Sequence, residues 1–124
     1  MATEVSRAKL VVQRSRFHAH LYEISDEEEI KDVMKWHRKE YRRARHHCWA
    51  LRLARDGRVV EKYKDDGEVG HPGKVLLSIL ESRGLDSHLL VVSRIFGGVK
   101  LGVGGVSRAF REAGMMAVEN ADGG

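Results

Sequence analysis

The sequence contains one cysteine, Cys48, and one proline, Pro72. A single thiol excludes an intramolecular disulfide, so the fold must rest on its packed core, and a thiol-based zinc site would need other ligands. Long apolar runs are also missing: the longest are strand-sized and broken by Arg, Ser or Lys, which excludes a membrane-spanning helix. Ala2 to Arg16 alternates charged with apolar residues and so offers no signal-peptide core. These absences lead to the expectation of a cytoplasmic protein in a reducing compartment with no membrane association. Low-complexity linkers and internal repeats are absent too, and the 124 residues read as one domain, 1–124, with 119–124 as a frayed tail.

Glycine and charge are what the chain has in quantity. Hydrophobic residues make up 42% and charged residues 32%, as expected of a globular protein with a heavily charged surface. The net charge is +4, with a pI near 9.4, which permits a phosphate-bearing partner without demanding one. Five glycines fall within Val91–Phe110, VVSRIFGGVKLGVGGVSRAF. There an apolar strand runs through Gly97, Gly98, Gly102, Gly104 and Gly105 into a helix expected to begin near Gly105 or Val106. The first N–H groups of a helix lack intrahelical acceptors and sit at its positive dipole end, so they attract anions. Arg94, Lys100 and Arg108 flank this junction, and Ser107 adds a hydroxyl. The spacing fits neither a dinucleotide fingerprint nor a phosphate-loop NTPase. Close packing of helix against sheet explains the same glycines equally well.

The rest of the chain reads as alternating strands and helices. Val5 to Ile24 is extended, either a hairpin or one bent strand, with Phe17, Ala19 and Leu21 on a core face and Arg16, His18, His20 and Tyr22 on the other. Ser25 with Glu28 forms a capping box for a helix of about five turns, buried through Ile30, Val33, Met34, His37 and Tyr41 and basic at its end through Lys39, Arg42, Arg43 and Arg45. His46 to Arg55 is a strand with Trp49, Leu51 and Leu53 on its core side and His46, Cys48 and Arg52 opposite. Asp56-Gly57 turns it into a hairpin partner, Arg58 to Lys64, with Val59 and Tyr63 or Val60 inward. Pro72 and Gly84 frame a short helix buried through Val75, Leu76, Ile79 and Leu80. His88 to Phe96 is a central strand, and the last helix buries Val106, Phe110, Ala113 and Ala117, with Gly114 allowing close approach.

These patterns predict an α+β two-layer sandwich, a mainly antiparallel sheet of four to five strands with three helices on one face. The opposite face is then open and displays Arg16, His18, His20, Tyr22, His46 and Arg52, either as ordinary solvated surface or as a platform for single-stranded RNA. His18, His20, His46 and Cys48 have the chemistry of a metal site, but their adjacency is not given by spacing, and no metal or cofactor is expected. Asp65-Asp66-Gly67-Glu68 concentrates carboxylates at a strand end, as a solvated turn or as general acids and bases.

Four blocks together resemble a known pattern: Ser15-Arg16-Phe17, Ala44-Arg45-His46-His47-Cys48-Trp49-Ala50, Asp65-Asp66-Gly67-Glu68, and Arg94 through Phe110. They are similar to the IMPACT N-terminal domain family, which includes bacterial YigZ-type proteins and a eukaryotic translation regulator. RIFGGVKLGVGGVSRAF is the most specific block, matching R-Y-F-G-G-x-K-L-G-x-G-G-L-x-R-A-Y at Arg94, Gly97, Gly98, Lys100, Leu101, Gly102, Gly104, Gly105, Arg108 and Ala109. Val69-Gly70-His71-Pro72-Gly73 departs from the family's P-x-G-T-A-G, so no threonine role carries over. The resemblance implies a fold similar to one shared by a ribosomal protein domain, domain four of elongation factor G and the GHMP kinases, and it implies a link to translation.

Two functional readings follow. The first is a translation-associated module that binds RNA or a ribosome-associated partner through Arg94, Gly98, Lys100, Gly102, Gly104, Gly105, Ser107 and Arg108, together with the open basic sheet face. The second is an enzyme acting on a phosphorylated or carboxylated small molecule, with His46, Asp66 or Glu68 as acid or base.

Overall fold

The computed structural model describes residues 1–122. Its elements are β1 (Thr3–Val12), β2 (Ser15–Glu23), α1 (Glu29–Glu40), β3 (His46–Arg55), β4 (Arg58–Lys64), α2 (Pro72–Ser82), β5 (His88–Ile95) and α3 (Gly102–Ala121). The strands form one sheet in the order β1-β2-β5-β3-β4, with every neighbouring pair antiparallel. The extended N-terminal stretch is a hairpin, turned at Gln13 and Arg14, both at positive φ. Asp56 and Gly57 turn β3 into β4 in the same way. Positive φ at both central residues matches the twist of the flanking strands.

Register decides which side chains meet. Ala19 lies opposite Val92, and Val92 opposite Cys48, so Phe17, Ala19 and Leu21 share a face with Cys48, Ala50, Leu90 and Val92. α2 and α3 cover this face with Leu76, Ile79, Leu80, Val106, Phe110 and Ala113. The Phe17 and Phe110 rings meet edge to face at 5.2 Å, and burying each is worth about 2–3 kcal/mol. α2 and α3 approach closely at Gly114, where a Cβ would stand 2.9 Å from Ile79 Cδ1.

The α+β class and the antiparallel sheet agree with the sequence reading, and sheet, α2 and α3 make the expected sandwich. α1, however, lies on the opposite face. Val33 and Met34 pack there on Tyr22, Leu51, Leu53, Leu89 and Val91. The cause is β5, which is apolar on both sides and pairs with β2 and β3, whose apolar rows point to opposite faces. Each row needs its own cover.

Two helix boundaries also differ from expectation. α1 spans 12 residues, a little over three turns, and its reciprocal acid is Glu29 rather than Glu28: Glu29 Oε2 accepts from Ser25 N–H, Ser25 O–H and Asp26 N–H. α3 begins at Gly102, so Gly104 and Gly105 lie inside its first turn. It continues through Asn120 and Ala121 because β1 holds it: Ser6 Oγ donates to Ala117 O at 2.6 Å and Asn120 Nδ2 to Arg7 O at 2.9 Å. Residues 123 and 124 of the expected tail lie outside the described residues. In the β4 strand Val60 is the half-buried position, while Val59 and Tyr63 are exposed. Among the described residues no helix is long and apolar enough to cross a membrane.

Candidate functional site

The antiparallel register gathers the start of β2, the start of β3, the ends of β4 and β5 and the first turn of α3 at one end of the molecule. The chain leaving β5 is pinned to the β1–β2 hairpin. Ser15, fully buried, accepts the Gly97 N–H at 3.1 Å through Oγ. A Cβ at Gly97 would lie 2.1 Å from the Arg14 carbonyl carbon, so backbone presses on backbone and no side chain fits. This contact sends the chain outward through Lys100 to the start of α3.

The acidic turn after β4 has three separate jobs. Asp65 Oδ1 accepts the Gly73 N–H at 2.8 Å, anchoring the start of α2. Asp66 Oδ2 accepts the His47 N–H at 2.8 Å, and its carbonyl accepts from His46 Nδ1 at 2.9 Å. Glu68 has both oxygens engaged, Oε1 by the Val69 N–H and Oε2 by Arg94 Nη1, each at 3.0 Å. Asp66 and Glu68 are therefore occupied in holding structure. A carbonyl can only accept, so His46 carries a proton on Nδ1, which in the neutral tautomer leaves the lone pair on Nε2. Nε2 stands 3.9 Å from Glu68 Oε2.

Beside these groups opens a cleft of about 410 Å³ whose walls include Arg45, His46, Arg94, Lys100, Phe96 and Gly102. Arg94 is 7% exposed, lies over the Phe17 and Phe96 rings at 5.4 and 5.7 Å, and among the described residues has no hydrogen-bond partner for Nε. No side chain caps α3, so the leading N–H groups of its first turn are not taken up by a cap, at the positive end of a 20-residue helix dipole. An anion in the cleft would find amide donors and the Lys100 and Arg45 cations together.

The expected anion-site residues separate by position. Arg94, Lys100 and Gly102 line the cleft. Gly98 sits at φ +89 with open space around it. Gly104 and Gly105 are in the first turn of α3, and the guanidinium of exposed Arg108 reaches back to it, 3.3 Å from where a Gly104 Cβ would be. Ser107 faces the neighbouring loop instead, its Cβ 3.3 Å from the Cβ position of Gly70. Sequence reasoning missed Phe96, Val69 and Val103, although apolar residues beside a glycine-rich turn were the available signal. Ser15 was inside a quoted block but had no role assigned.

The open basic sheet face does not exist as expected. His18, His20 and Tyr22 point to the α1 side, whereas His46, Cys48 and Arg52 point to the α2 and α3 side. His20 and Tyr22 are buried. His20 Nδ1 donates to Glu4 Oε2 at 2.8 Å and Nε2 accepts from the Tyr41 hydroxyl at 2.7 Å. His18 stacks on Tyr41 at 4.2 Å, and burial lowers its pKa to about 4. Arg52 sits at the far end between Glu61 and Asp86, and Arg16 alone of the β2 set stays near the cleft end. The split also separates the considered metal donors His18 and His20 from His46 and Cys48. Burial pushes the Cys48 thiol up, and it donates to Asp65 O at 3.1 Å, so it is no nucleophile.

Comparison with known proteins places the chain. The family described as the Impact N-terminal domain matches residues 13–118. Among relatives, the IMPACT family member YvyE of Bacillus subtilis is 36% identical over 86% of this chain and 49% of its own length. YigZ of Escherichia coli is 34% identical over 80% of this chain and 50% of its own. A solved hypothetical protein superposes with a TM-score of 0.84 at 32% identity, covering 92% of this chain and 56% of that one. The two-domain translational regulator Yih1, at 23% identity and a TM-score of 0.59 over 97% of this chain and 46% of its own, shares the fold. The chain spans about half the length of the curated relatives it matches. With that family match running from the β1–β2 turn into the last helix, the chain belongs to the Impact N-terminal domain family.

Proposed function

We propose that this domain is a translation-associated module that binds RNA, or a ribosome-associated partner through its RNA, by the cleft end of the molecule. The observation that carries the reading is a separation of charge along the strands. Arg16, Arg45, Lys64, Lys100 and Arg108 fall at the cleft end, beside Asp65, Asp66 and Glu68, whose carboxylates are engaged by Gly73, His47, Val69 and Arg94. At the other end Glu4, Glu23, Asp26, Glu27, Glu28, Asp86, Glu119 and Asp122 outnumber Arg52, Arg55, Arg58 and Arg83. The small net charge of +4 conceals this asymmetry. Such a field orients the protein with its basic end toward a polyanion during approach. The uncapped α3 terminus lies at the same end and suits a backbone phosphate. The description of Yih1 as a translational regulator, with the family's link to translation, supports the setting.

Titrating single-stranded RNA into the protein at several salt concentrations tests the proposal. Affinity falls as salt rises, and the Lys100→Ala/Arg108→Ala double variant weakens binding and flattens the log–log salt slope by about 1.4, roughly 0.7 per lost phosphate contact. Absence of binding at low salt, or a double variant indistinguishable from the parent, refutes it.

His46 favours a second reading, an enzyme acting on a phosphorylated or carboxylated small molecule. It lines the cleft with Nδ1 bonded to the Asp66 carbonyl, so in the neutral tautomer Nε2 is the ring's base. Turnover of such a compound, lost in His46→Ala while RNA affinity is unchanged, would select it.

A further inference from the structure

We infer that the cleft at the head of α3 seats one nucleoside monophosphate unit, with its phosphate toward Lys100 and the α3 terminus and its base against Phe96. This deepens the anion-binding reading above and rests on it.

The walls argue for more than a phosphate. An anion needs donors and cations, which Lys100 and the first turn of α3 supply, yet Phe96, Val69 and Val103 are also large apolar side chains left 43%, 49% and 61% exposed around the same opening. Leaving them in water is unfavourable unless something apolar covers them. A volume of about 410 Å³ exceeds what phosphate fills and lies in the range of small-ligand sites, roughly 300–1,000 Å³. The ligand is therefore two-ended, anionic at one side and apolar at the other.

Phe96 favours a planar apolar part. The guanidinium of Arg94, itself nearly buried, lies 5.7 Å from the ring centroid and holds it by a cation–π contact. A ring fixed in this way is a stacking surface. Arg94 is tied to Glu68 through Nη1, lies 3.4 Å from Ser15 Oγ through Nη2, and keeps Nε unpartnered, so the platform is set before any ligand arrives.

One polar feature remains. Glu68 spends both oxygens on Val69 and Arg94, and His46 on the cleft wall has Nε2 3.9 Å from Glu68 Oε2, an acceptor in the neutral tautomer that the Asp66 carbonyl selects. A complementary ligand brings a donor there, as a ribose hydroxyl or an exocyclic amine does. Anion, planar ring and donor together describe a nucleotide, either free or as one residue of an RNA strand.

Calorimetric titration of the 124-residue protein with AMP, adenosine and inorganic phosphate tests the inference, with a labelled single-stranded RNA as competitor. AMP binds at least tenfold more tightly than adenosine or phosphate. Phe96→Ala weakens AMP roughly tenfold and leaves phosphate unchanged, Phe96→Trp restores AMP, and His46→Ala gives a smaller loss. Phe96 is exposed, and an unchanged melting curve checks that the variants fold. Displacement of RNA by AMP identifies the unit as one residue of a strand, and AMP binding without displacement identifies a free nucleotide. AMP no tighter than phosphate, or insensitive to Phe96→Ala, overturns the inference. RNA binding that persists in that case leaves the anion reading standing, whereas failure of AMP, phosphate and RNA alike to bind removes both.

Discussion

Arg94 and Glu68 meet at 3.0 Å with their side chains 8% and 4% exposed. This pair ties the end of β5 to the loop after β4, and so joins the two segments that wall the cleft. Both charges are out of water, and the arrangement holds because each has further partners.

Removing one member should therefore cost more than removing both. Glu68→Ala leaves the guanidinium buried without its counter-ion, and about 3 kcal/mol of stability should be lost in urea denaturation. The double variant Glu68→Gln/Arg94→Met should recover part of this. An additive double variant would show that the two groups do not depend on each other.

Gly97 is a test of close approach. Gly97→Ala places a methyl against the Arg14 backbone, and because backbone cannot rotate aside, about 3 kcal/mol of destabilisation is expected in thermal or urea unfolding. Gly57→Ala is the comparison: there is open space around its Cβ but φ is +75, so its cost comes from backbone strain alone and should be smaller, about 1 kcal/mol.

The helix start at α1 distinguishes two adjacent acids. Glu29→Ala removes the acceptor for Ser25 and Asp26 N–H groups and should cost about 1 kcal/mol. Glu28→Ala, at an exposed side chain that pairs with exposed Lys31, should change the melting temperature little. The reverse order would restore the Ser25–Glu28 capping box.

Acid should loosen the α1 face. His37 is fully buried, its Nε2 2.8 Å from the Tyr22 hydroxyl and its Nδ1 2.9 Å from Ser93 Oγ, which also lies 2.8 Å from His47 Nδ1. Burial lowers the His37 pKa to about 2, and it lowers those of His20 and His47 as well. The unfolded chain takes up protons at these rings near pH 6.5 while the folded one does not. Stability is thus full above about pH 6.5 and falls as pH drops toward the lowered folded values, by up to about 1.4 kcal/mol per pH unit for each linked ring. Melting temperatures recorded from pH 7.5 to 4 should show this slope, and His37→Phe should reduce it. A flat profile would contradict the linkage.

Much of the architecture was legible along the chain because it depends on local chemistry. The Asp56-Gly57 hairpin, Pro72 at the start of α2, Gly84 past its end and the buried rows of α2 and α3 all follow from backbone preference and apolar period. The cleft was half legible. Arg94, Lys100 and Gly102 were found from the glycine-rich block, but Phe96 and Val69 were passed over because an isolated apolar residue carries no sign of being left in water.

Sequence by itself determined the order of the elements, one apolar row of β2, β3 and each helix, and the family, since propensity, periodicity and motif order are properties of the chain read in one dimension. Tertiary structure decided which faces meet. β5 inserts between β2 and β3, and with a side-chain period of two its register sends the β2 histidines to one side of the sheet and His46 to the other. The same pairing brings Arg94, Glu68 and the start of α3 to one end and so makes a cleft from segments far apart in the chain.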